Sequence, residues 1–252
     1  MHLLSRYSIS TLYIIILFIS GCAPLSTAAA PLPPIEASIA KKQTADWTLD
    51  WWQTRHNEKL EEAKNSDVDI LLLGDSITHG WENPGRDEIW RQYYPKLSGI
   101  NLGFSGDRTE HVLWRLQHGA VDNLNAKLTI LMIGTNNTGQ RMDPAEHTAQ
   151  GIKMIIDELQ NRMPQTKILL LAIFPRENSR YNVMRKKNNS INQIIASYAD
   201  EKNIFYLDIN HYFLHDDDNL SAELMPDLLH PNDQGYQIWA QAMQAKIIEL
   251  IR

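Results

Sequence analysis

Five apolar runs bounded by turn residues are spaced along the chain, and they predict the strands of one sheet. The runs are residues 68–73, 100–102, 128–133, 168–174 and 204–207. Continuous runs of this kind are typical of strands that are covered on both faces. Apolar residues recur at helical spacing over residues 109–118, 144–162, 182–201 and 233–251. Alternating strands and helices predict a three-layer α/β/α fold around a doubly wound, five-stranded parallel sheet.

Residues 47–64 precede the first predicted strand and combine three tryptophans with many charged residues. This mixture predicts an amphipathic helix that packs on the outside of the domain. We interpret Trp47, Trp51 and Trp52 as aromatic anchors in the core. A platform that stacks on sugar rings is the alternative.

Three polar turns follow directly after predicted strands. They are Gly74-Asp75-Ser76, residues 103–107 and residues 134–137. Ligands of parallel α/β sheets bind outside the carboxyl ends of the strands, so these turns are expected to meet at one edge of the sheet. Their convergence predicts a functional site at that edge.

Ser76 is the candidate nucleophile, because a buried strand delivers its hydroxyl to this edge. Asp75 is expected to accept backbone hydrogen bonds and to steady the turn. A serine hydroxyl becomes a nucleophile only when a base lies within hydrogen-bond reach and a third group orients that base. Asp227-x-x-His230 can supply both from one short loop, since the spacing lets the carboxylate fold back on the imidazole.

A second acid–histidine pair, Asp208-x-x-His211, has the same spacing and also follows a predicted strand. We favour His230 as the base, because residues 231–233 follow it as the start of a helix and place it at a rigid junction. Asp208 is then expected to bind backbone groups, and His211 is expected to lie on the surface.

Four blocks of the chain, in this order, resemble those of the SGNH (GDSL-type) hydrolases: residues 74–76, 103–107, 134–137 and 227–230. The resemblance implies a flavodoxin-like fold and a serine hydrolase with the catalytic residues Ser76, Asp227 and His230.

The same resemblance implies an oxyanion hole, which stabilises the charge of the tetrahedral intermediate. Its donors would be the backbone N–H of Ser76, the N–H of Gly106 and the side-chain amide of Asn136. Gly103 is the competing glycine, and we prefer Gly106 because Gly-Asp ends the second block of the family.

Further segments resemble the catalytic subunits of intracellular platelet-activating-factor acetylhydrolase: residues 101–109, 111–116, 134–137, 174–176 and 188–194. This similarity implies an esterase for short acyl groups, above all acetyl. Because bacterial relatives of that subfamily include esterases that deacetylate carbohydrates, we expect an O-acetylated carbohydrate as the substrate. The alternatives are a lysophospholipase or thioesterase of the same fold and a non-catalytic, glycan-binding lipoprotein, which would have no reason to keep the whole catalytic set.

The N-terminus reads as an export signal. Residues 9–19 are almost wholly apolar, and Ser20-Gly21 precede Cys22, the single cysteine of the chain. This resembles a lipoprotein signal peptide over residues 1–21, with lipidation at Cys22 and retention at the outer membrane. The alternative is cleavage at a later small-residue site such as Ala28-Ala29-Ala30.

An Ala- and Pro-rich stretch follows the signal, and we assign residues 22–45 to a tether and residues 46–252 to the hydrolase domain. The net charge of −6 and the scattered basic residues argue against nucleic acid as a partner. The one short basic run, Arg185-Lys186-Lys187, is interpreted as a solvated face. The histidines and acids lack metal-ligand spacing, so no metal and no cofactor is expected, and a homodimer stays open.

Overall fold

The computed structural model describes residues 35–64 and 66–252. The predicted signal peptide, Cys22 and residues 22–34 of the predicted tether lie outside the described residues. The strands are β1 (Ile70–Gly74), β2 (Gly99–Gly103), β3 (Leu128–Met132), β4 (Lys167–Leu171) and β5 (Ile204–Leu207). All pairings are parallel, in the order β2-β1-β3-β4-β5. This is the doubly wound order of the flavodoxin-like folds, so the predicted fold class is confirmed.

Helices cover both faces of the sheet. They are α1 (Trp52–Lys64), α2 (Ser76–His79), α3 (Arg86–Tyr93), α4 (Thr109–Gln117), α5 (Ala145–Arg162), α6 (Val183–Ile195) and α7 (Asp233–Ile251). Successive strand residues point to opposite faces. Leu71 therefore packs in a core with α1, α4, α5 and α6, whereas Leu72 packs in a second core with α2 and α7.

The apolar run of residues 168–174 is longer than the strand it forms. Sheet pairing in β4 ends at Leu171, but the buried run continues to Phe174. Asn192 of α6 replaces a partner strand there, since its side chain accepts from the N–H of Ile173 at 2.8 Å and donates to the carbonyl of Ile173 at 2.9 Å. A buried backbone must find partners, and here a side-chain amide provides them.

Several helix boundaries also differ from the expectation. The predicted helix of residues 47–64 begins only at Trp52, and a separate 3₁₀ turn covers Asp46–Thr48. The helix predicted over residues 182–201 ends at Ile195, with Asn182 as its N-cap. The short helices α2 and α3 were not predicted, because neither carries a strong apolar period.

Residues 35–48, called the N-terminal strap from here on, pack on the domain. Ala37 is buried, and its carbonyl accepts from the Thr109 hydroxyl at 2.7 Å. The N–H of Lys41 donates to the carbonyl of Glu110 at 3.0 Å. The domain boundary expected at residue 46 is therefore too late, because long-range hydrogen bonds hold residues that composition alone assigns to a tether.

Among residues 35–64 and 66–252, no helix combines the length and apolar character that crossing a bilayer requires.

Candidate functional site

Ser76 begins α2 directly after β1, at the carboxyl edge of the sheet. Asp75 is the N-cap of this short helix, and its carboxylate accepts from the N–H of Ile77 at 3.0 Å. Capping satisfies a backbone donor that the first turn would leave without a partner. Asp75 thus accepts a backbone hydrogen bond in the turn, as the sequence predicts. Ser76 itself is partly exposed.

His230 lies beside Ser76, although the two residues are far apart in sequence. The distance from Ser76 Oγ to His230 Nε2 is 2.9 Å, and the distance from His230 Nδ1 to Asp227 Oδ2 is 2.6 Å. Asp227 Oδ1 also accepts from the backbone N–H of His230 at 2.7 Å. Partial burial raises the pKa of Asp227, but these hydrogen bonds outweigh it, so its pKa lies below the usual value. A carboxylate therefore orients the imidazole that faces the serine.

The loop that carries this pair is held by unusual backbone geometry. Leu228 adopts a left-handed conformation with φ of 59°, which is uncommon for a residue with a side chain. Its carbonyl accepts from the N–H of Glu177 at 2.9 Å. Asn232 caps α7 by accepting from the N–H of Gly235 at 3.0 Å. His230 thus lies at a loop-to-helix junction, as the sequence predicted.

The rival pair is placed differently. Asp208 accepts from the N–H of Asn210 at 2.9 Å, and His211 is exposed with its ring centroid 4.0 Å from that of Tyr212. Both residues follow β5 at one end of the sheet, whereas Ser76 follows β1. The structure therefore brings Ser76 together with His230 and leaves His211 elsewhere on the surface.

The two predicted oxyanion residues lie on either side of Ser76. Gly106 follows β2 and Asn136 follows β3, and these strands flank β1. Asn136 Nδ2 donates to the carbonyl of Asp107 at 3.0 Å, which brings the second and third blocks into contact. Gly106 has φ of 77°, a conformation that favours glycine.

The competing glycine, Gly103, has a packing role instead. A Cβ at this position would overlap the backbone at the end of α2. Its N–H is also occupied, because it donates to Asn101 Oδ1 at 2.7 Å. The geometry thus favours Gly106 as the glycine whose N–H can reach a ligand.

Side chains from distant segments hold the Gly106 loop. The carbonyl of Gly106 accepts from Gln43 Nε2 at 3.3 Å and from Gln140 Nε2 at 3.2 Å. The neighbouring Asp107 is fully buried, and its carboxylate accepts from Trp52 Nε1 at 2.7 Å and from Arg115 Nε at 2.9 Å. Burial raises the pKa of Asp107 to about 6, while the charge of Arg115 opposes this shift. Through these two hydrogen bonds, Asp107 ties the loop to α1 and α4.

Arg176 supports the turn that carries Asn136. It is buried, and its Nη1 donates to the carbonyl of Thr135 at 2.8 Å. Arg185 supports Arg176 in turn, since its Nε donates to the carbonyl of that residue at 2.9 Å and its Nη2 donates to the carbonyl of Glu177 at 2.8 Å. The interpretation of the basic run at Arg185 as a solvated face is therefore wrong for this residue, because its side chain is buried and donates to two backbone carbonyls. Lys186, the next residue, is exposed.

The sequence predicts no role for Gln43, Gln140 or Arg176. Gln43 belongs to residues 35–45 of the strap, which composition assigns to a tether, and Arg176 contributes only to the resemblance over residues 174–176. Buried polar residues with long-range partners carry no periodic signal that could have identified them. Within the described parts of the chain, no cluster of three or more His, Cys, Asp or Glu residues is arranged to hold a metal ion.

Comparison with known proteins identifies the family. The sequence model of the GDSL-like lipase/acylhydrolase family matches residues 72–238. The chain is 34% identical over 203 residues to the platelet-activating factor acetylhydrolase IB subunit alpha2 of Rattus norvegicus, which covers 80% of this chain and 86% of the relative. It is 31% identical over 201 residues to the alpha1 subunit of Homo sapiens, with 79% and 84% covered.

Solved structures share the fold at lower sequence identity. A GDSL-like lipase from Bacteroides thetaiotaomicron superposes with a TM-score of 0.63 and 19% identity, covering 79% of this chain and 98% of that one. An acetylxylan esterase from Geobacillus stearothermophilus gives a TM-score of 0.58 and 21% identity, with 73% and 96% covered. The family match, the sequence relatives and the architecture agree, and the chain therefore belongs to the GDSL-like lipase/acylhydrolase family of SGNH hydrolases and is an esterase.

Proposed function

We propose that this esterase removes short acyl groups, chiefly acetyl, from O-acetylated carbohydrate by a Ser-His-Asp mechanism. The observation that carries the proposal is the continuous line of hydrogen bonds from Ser76 Oγ through the imidazole of His230 to Asp227, with distances of 2.9 and 2.6 Å. A hydroxyl, a base and a carboxylate in this order form the arrangement that activates a serine for acyl transfer.

The first half of the reaction acylates the serine. Ser76 Oγ attacks the ester carbonyl, and His230 Nε2 takes the hydroxyl proton. Asp227 keeps the Nδ1 proton facing itself and stabilises the imidazolium. His230 then protonates the departing alcohol oxygen as the carbon–oxygen bond of the ester breaks. In the second half, His230 takes a proton from water as the hydroxide attacks the acyl-serine, and it returns this proton to Ser76 Oγ as the acyl–oxygen bond breaks and the carboxylic acid leaves.

The oxyanion of both tetrahedral intermediates accepts hydrogen bonds from the N–H groups of Ser76 and Gly106 and from Asn136 Nδ2. An amide nitrogen carries two hydrogens. One hydrogen of Asn136 binds the carbonyl of Asp107, and the other is available for the substrate. Because the Asp107 contact fixes the amide before substrate arrives, the donor needs little reorganisation during the reaction.

Two different relatives support the proposed preference for acetyl groups. The sequence relatives are acetylhydrolases of platelet-activating factor, and one structural neighbour is an acetylxylan esterase. These proteins share the acetyl group and differ in the alcohol. We assign a carbohydrate alcohol to this chain, in keeping with an exported enzyme that meets glycans outside the cytoplasm.

We further propose that the enzyme is exported and anchored by lipid at Cys22, at the outer membrane. The support is the sequence around the single cysteine, where an apolar run ends in Ser20-Gly21. An anchored enzyme would act on esters close to the membrane surface.

Hydrolysis of 4-nitrophenyl esters of increasing chain length tests the acyl specificity, with Ser76→Ala as the background control. A small acyl pocket rejects longer chains by steric overlap, whereas an open groove gains roughly 0.8 kcal/mol for each buried methylene. We expect acetate to be preferred, with kcat/KM falling steeply beyond about four acyl carbons. A maximum at eight carbons or more would support the lysophospholipase or thioesterase alternative and reject the acetylesterase. Acetate release from acetylated xylooligosaccharides tests whether the alcohol part of the substrate is a carbohydrate.

A further inference from the structure

The indole of Trp47 lies against Gly106, the glycine whose N–H we assign to the oxyanion hole. A Cβ at Gly106 would overlap the six-membered ring of Trp47. Although it makes this contact, Trp47 is 55% exposed. Large aromatic side chains usually bury most of their surface, so an exposed indole beside a reactive centre is an informative exception.

Contacts with Trp51 and with the backbone turn around Thr48 hold Trp47 in place. Its carbonyl accepts from Trp51 Nε1 at 3.1 Å, and the two indole centroids lie 6.2 Å apart. The next residue, Thr48, is buried, and its hydroxyl donates to the carbonyl of Ala45 at 2.6 Å. Trp52 anchors the start of α1 to the buried carboxylate of Asp107. A ring fixed in this way loses little freedom on binding a ligand.

An imidazole and a hydroxyl lie on the far side of Trp51, the partner of Trp47. The imidazole of His79 lies 6.1 Å from Trp51, and its Nδ1 lies 3.1 Å from the Ser105 hydroxyl. Burial lowers the pKa of His79 to about 4, so this ring is neutral at pH 7. Arg55, whose guanidinium lies 4.9 Å from the centroid of the Phe104 ring, is paired with Glu82 at 2.7 Å. A flat apolar face with an uncharged imidazole beside its partner Trp51 suits an uncharged, polyhydroxylated ring better than a charged headgroup.

We propose that Trp47, with Trp51 packed against it, forms a sugar-stacking subsite that binds the glycan part of the ester next to Gly106. This inference rests on the proposed function and extends it to the alcohol side of the substrate. An acetyl group is too small to cover an indole while its carbonyl lies in the oxyanion hole. The alcohol is the part of the ester that is large enough to stack on the ring, and the C–H face of a pyranose matches its flat surface.

The experiment compares Trp47→Ala and Trp47→Phe with wild type on acetylated xylooligosaccharides and on 4-nitrophenyl acetate. For Trp47→Ala we expect the ratio of kcat/KM on the glycan ester to kcat/KM on 4-nitrophenyl acetate to fall about tenfold, mainly through KM. Trp47→Phe should recover part of that ratio, since it keeps an aromatic face. Tyr212→Ala is the matched control, because Tyr212 is also exposed but follows β5, at the opposite end of the sheet from β2. Its ratio should equal that of wild type.

Equal losses on both substrates would overturn the subsite, since Trp47 would then only support the Gly106 loop. Acetylcholine is a cationic acetyl ester and serves as a further substrate. If Trp47→Ala lost kcat/KM selectively on acetylcholine and not on the glycan ester, the ring would be a cation site and the sugar subsite would be overturned. Inhibition of 4-nitrophenyl acetate hydrolysis by unacetylated xylooligosaccharides separates this inference from the proposed function. If wild type releases no acetate from the glycan ester, the proposed substrate fails. The subsite then stands if these oligosaccharides inhibit wild type more strongly than Trp47→Ala, and it fails if they do not.

Discussion

Gln43, in the N-terminal strap, donates its side-chain amide to the carbonyl of Gly106 at 3.3 Å. The same side chain is 3.1 Å from His111 Nδ1, and its Oε1 accepts from the backbone N–H groups of Thr44 and Ala45 at 3.0 and 3.2 Å. The Gln43 side chain is buried, and both its amide nitrogen and its amide oxygen form hydrogen bonds. The strap thus packs on the domain and holds the loop that carries Gly106, a proposed oxyanion donor.

Gln43→Ala is expected to lower kcat more than it changes KM. Loss of the contact lets the Gly106 peptide rotate, and the oxyanion is present only in the intermediate and its transition states. We expect roughly a tenfold fall in kcat on 4-nitrophenyl acetate, less than the 10²–10³ that removal of a whole oxyanion donor costs. Gln53→Ala is the control, since the Gln53 side chain bonds Asn57 on its own helix. A change in KM alone would contradict the positioning role.

His230→Ala should reduce kcat as severely as Ser76→Ala, because nucleophile and base act as one unit. We expect a loss of roughly a thousandfold or more in each variant. His211→Ala is the matched control, because its imidazole belongs to the rival pair and packs against Tyr212. Steady-state kinetics on folded protein, verified by circular dichroism, decides the outcome. If His211→Ala lost activity and His230→Ala kept it, His211 and not His230 would be the catalytic base.

Asp75→Asn should stabilise the protein more at pH 8 than at pH 5. Burial raises the pKa of Asp75 from 3.8 to about 7. The folded state therefore binds this proton more tightly than the unfolded state, and the contribution of Asp75 to stability falls as pH rises from about 4 to about 7. Asparagine does not titrate, but its side-chain oxygen can still accept from Ile77. Thermal unfolding at both pH values measures the difference in Tm between variant and wild type. A difference independent of pH would show that Asp75 is ionised in the fold throughout this range.

Cys22→Ser should release the protein from the membrane fraction. Stable anchoring requires more than one acyl chain, and the lipidated cysteine of a lipoprotein carries them. Because Cys22 is the single cysteine, thiol-linked lipid can attach nowhere else in the chain. Fractionation and labelling with a radioactive fatty acid provide the measurement. A mature N-terminus near Ala30, or a Cys22→Ser variant that stays in the membrane, would refute the anchor.

Local patterns of sequence determined the strands and the positions of the four blocks. Buried parallel strands need continuous apolar runs, so the five runs identified the sheet. The pair of Asp227 and His230 was readable because its spacing is local and a helix start follows it. The placement of Ser76 also depends on short-range structure, since Asp75 caps the turn that begins α2.

Only the tertiary structure decided what surrounds these blocks. Gln43 lies 63 residues before Gly106, and composition assigned its segment to a tether. The sequence placed Arg185 in a solvated basic run, but its side chain is buried and donates to the backbone carbonyl of Arg176, in the segment after β4. Trp52 is buried, whereas Trp47 is exposed beside Gly106, although both belong to one segment. Such contacts join groups that are distant in sequence, and their energies depend on geometry that only the folded chain supplies.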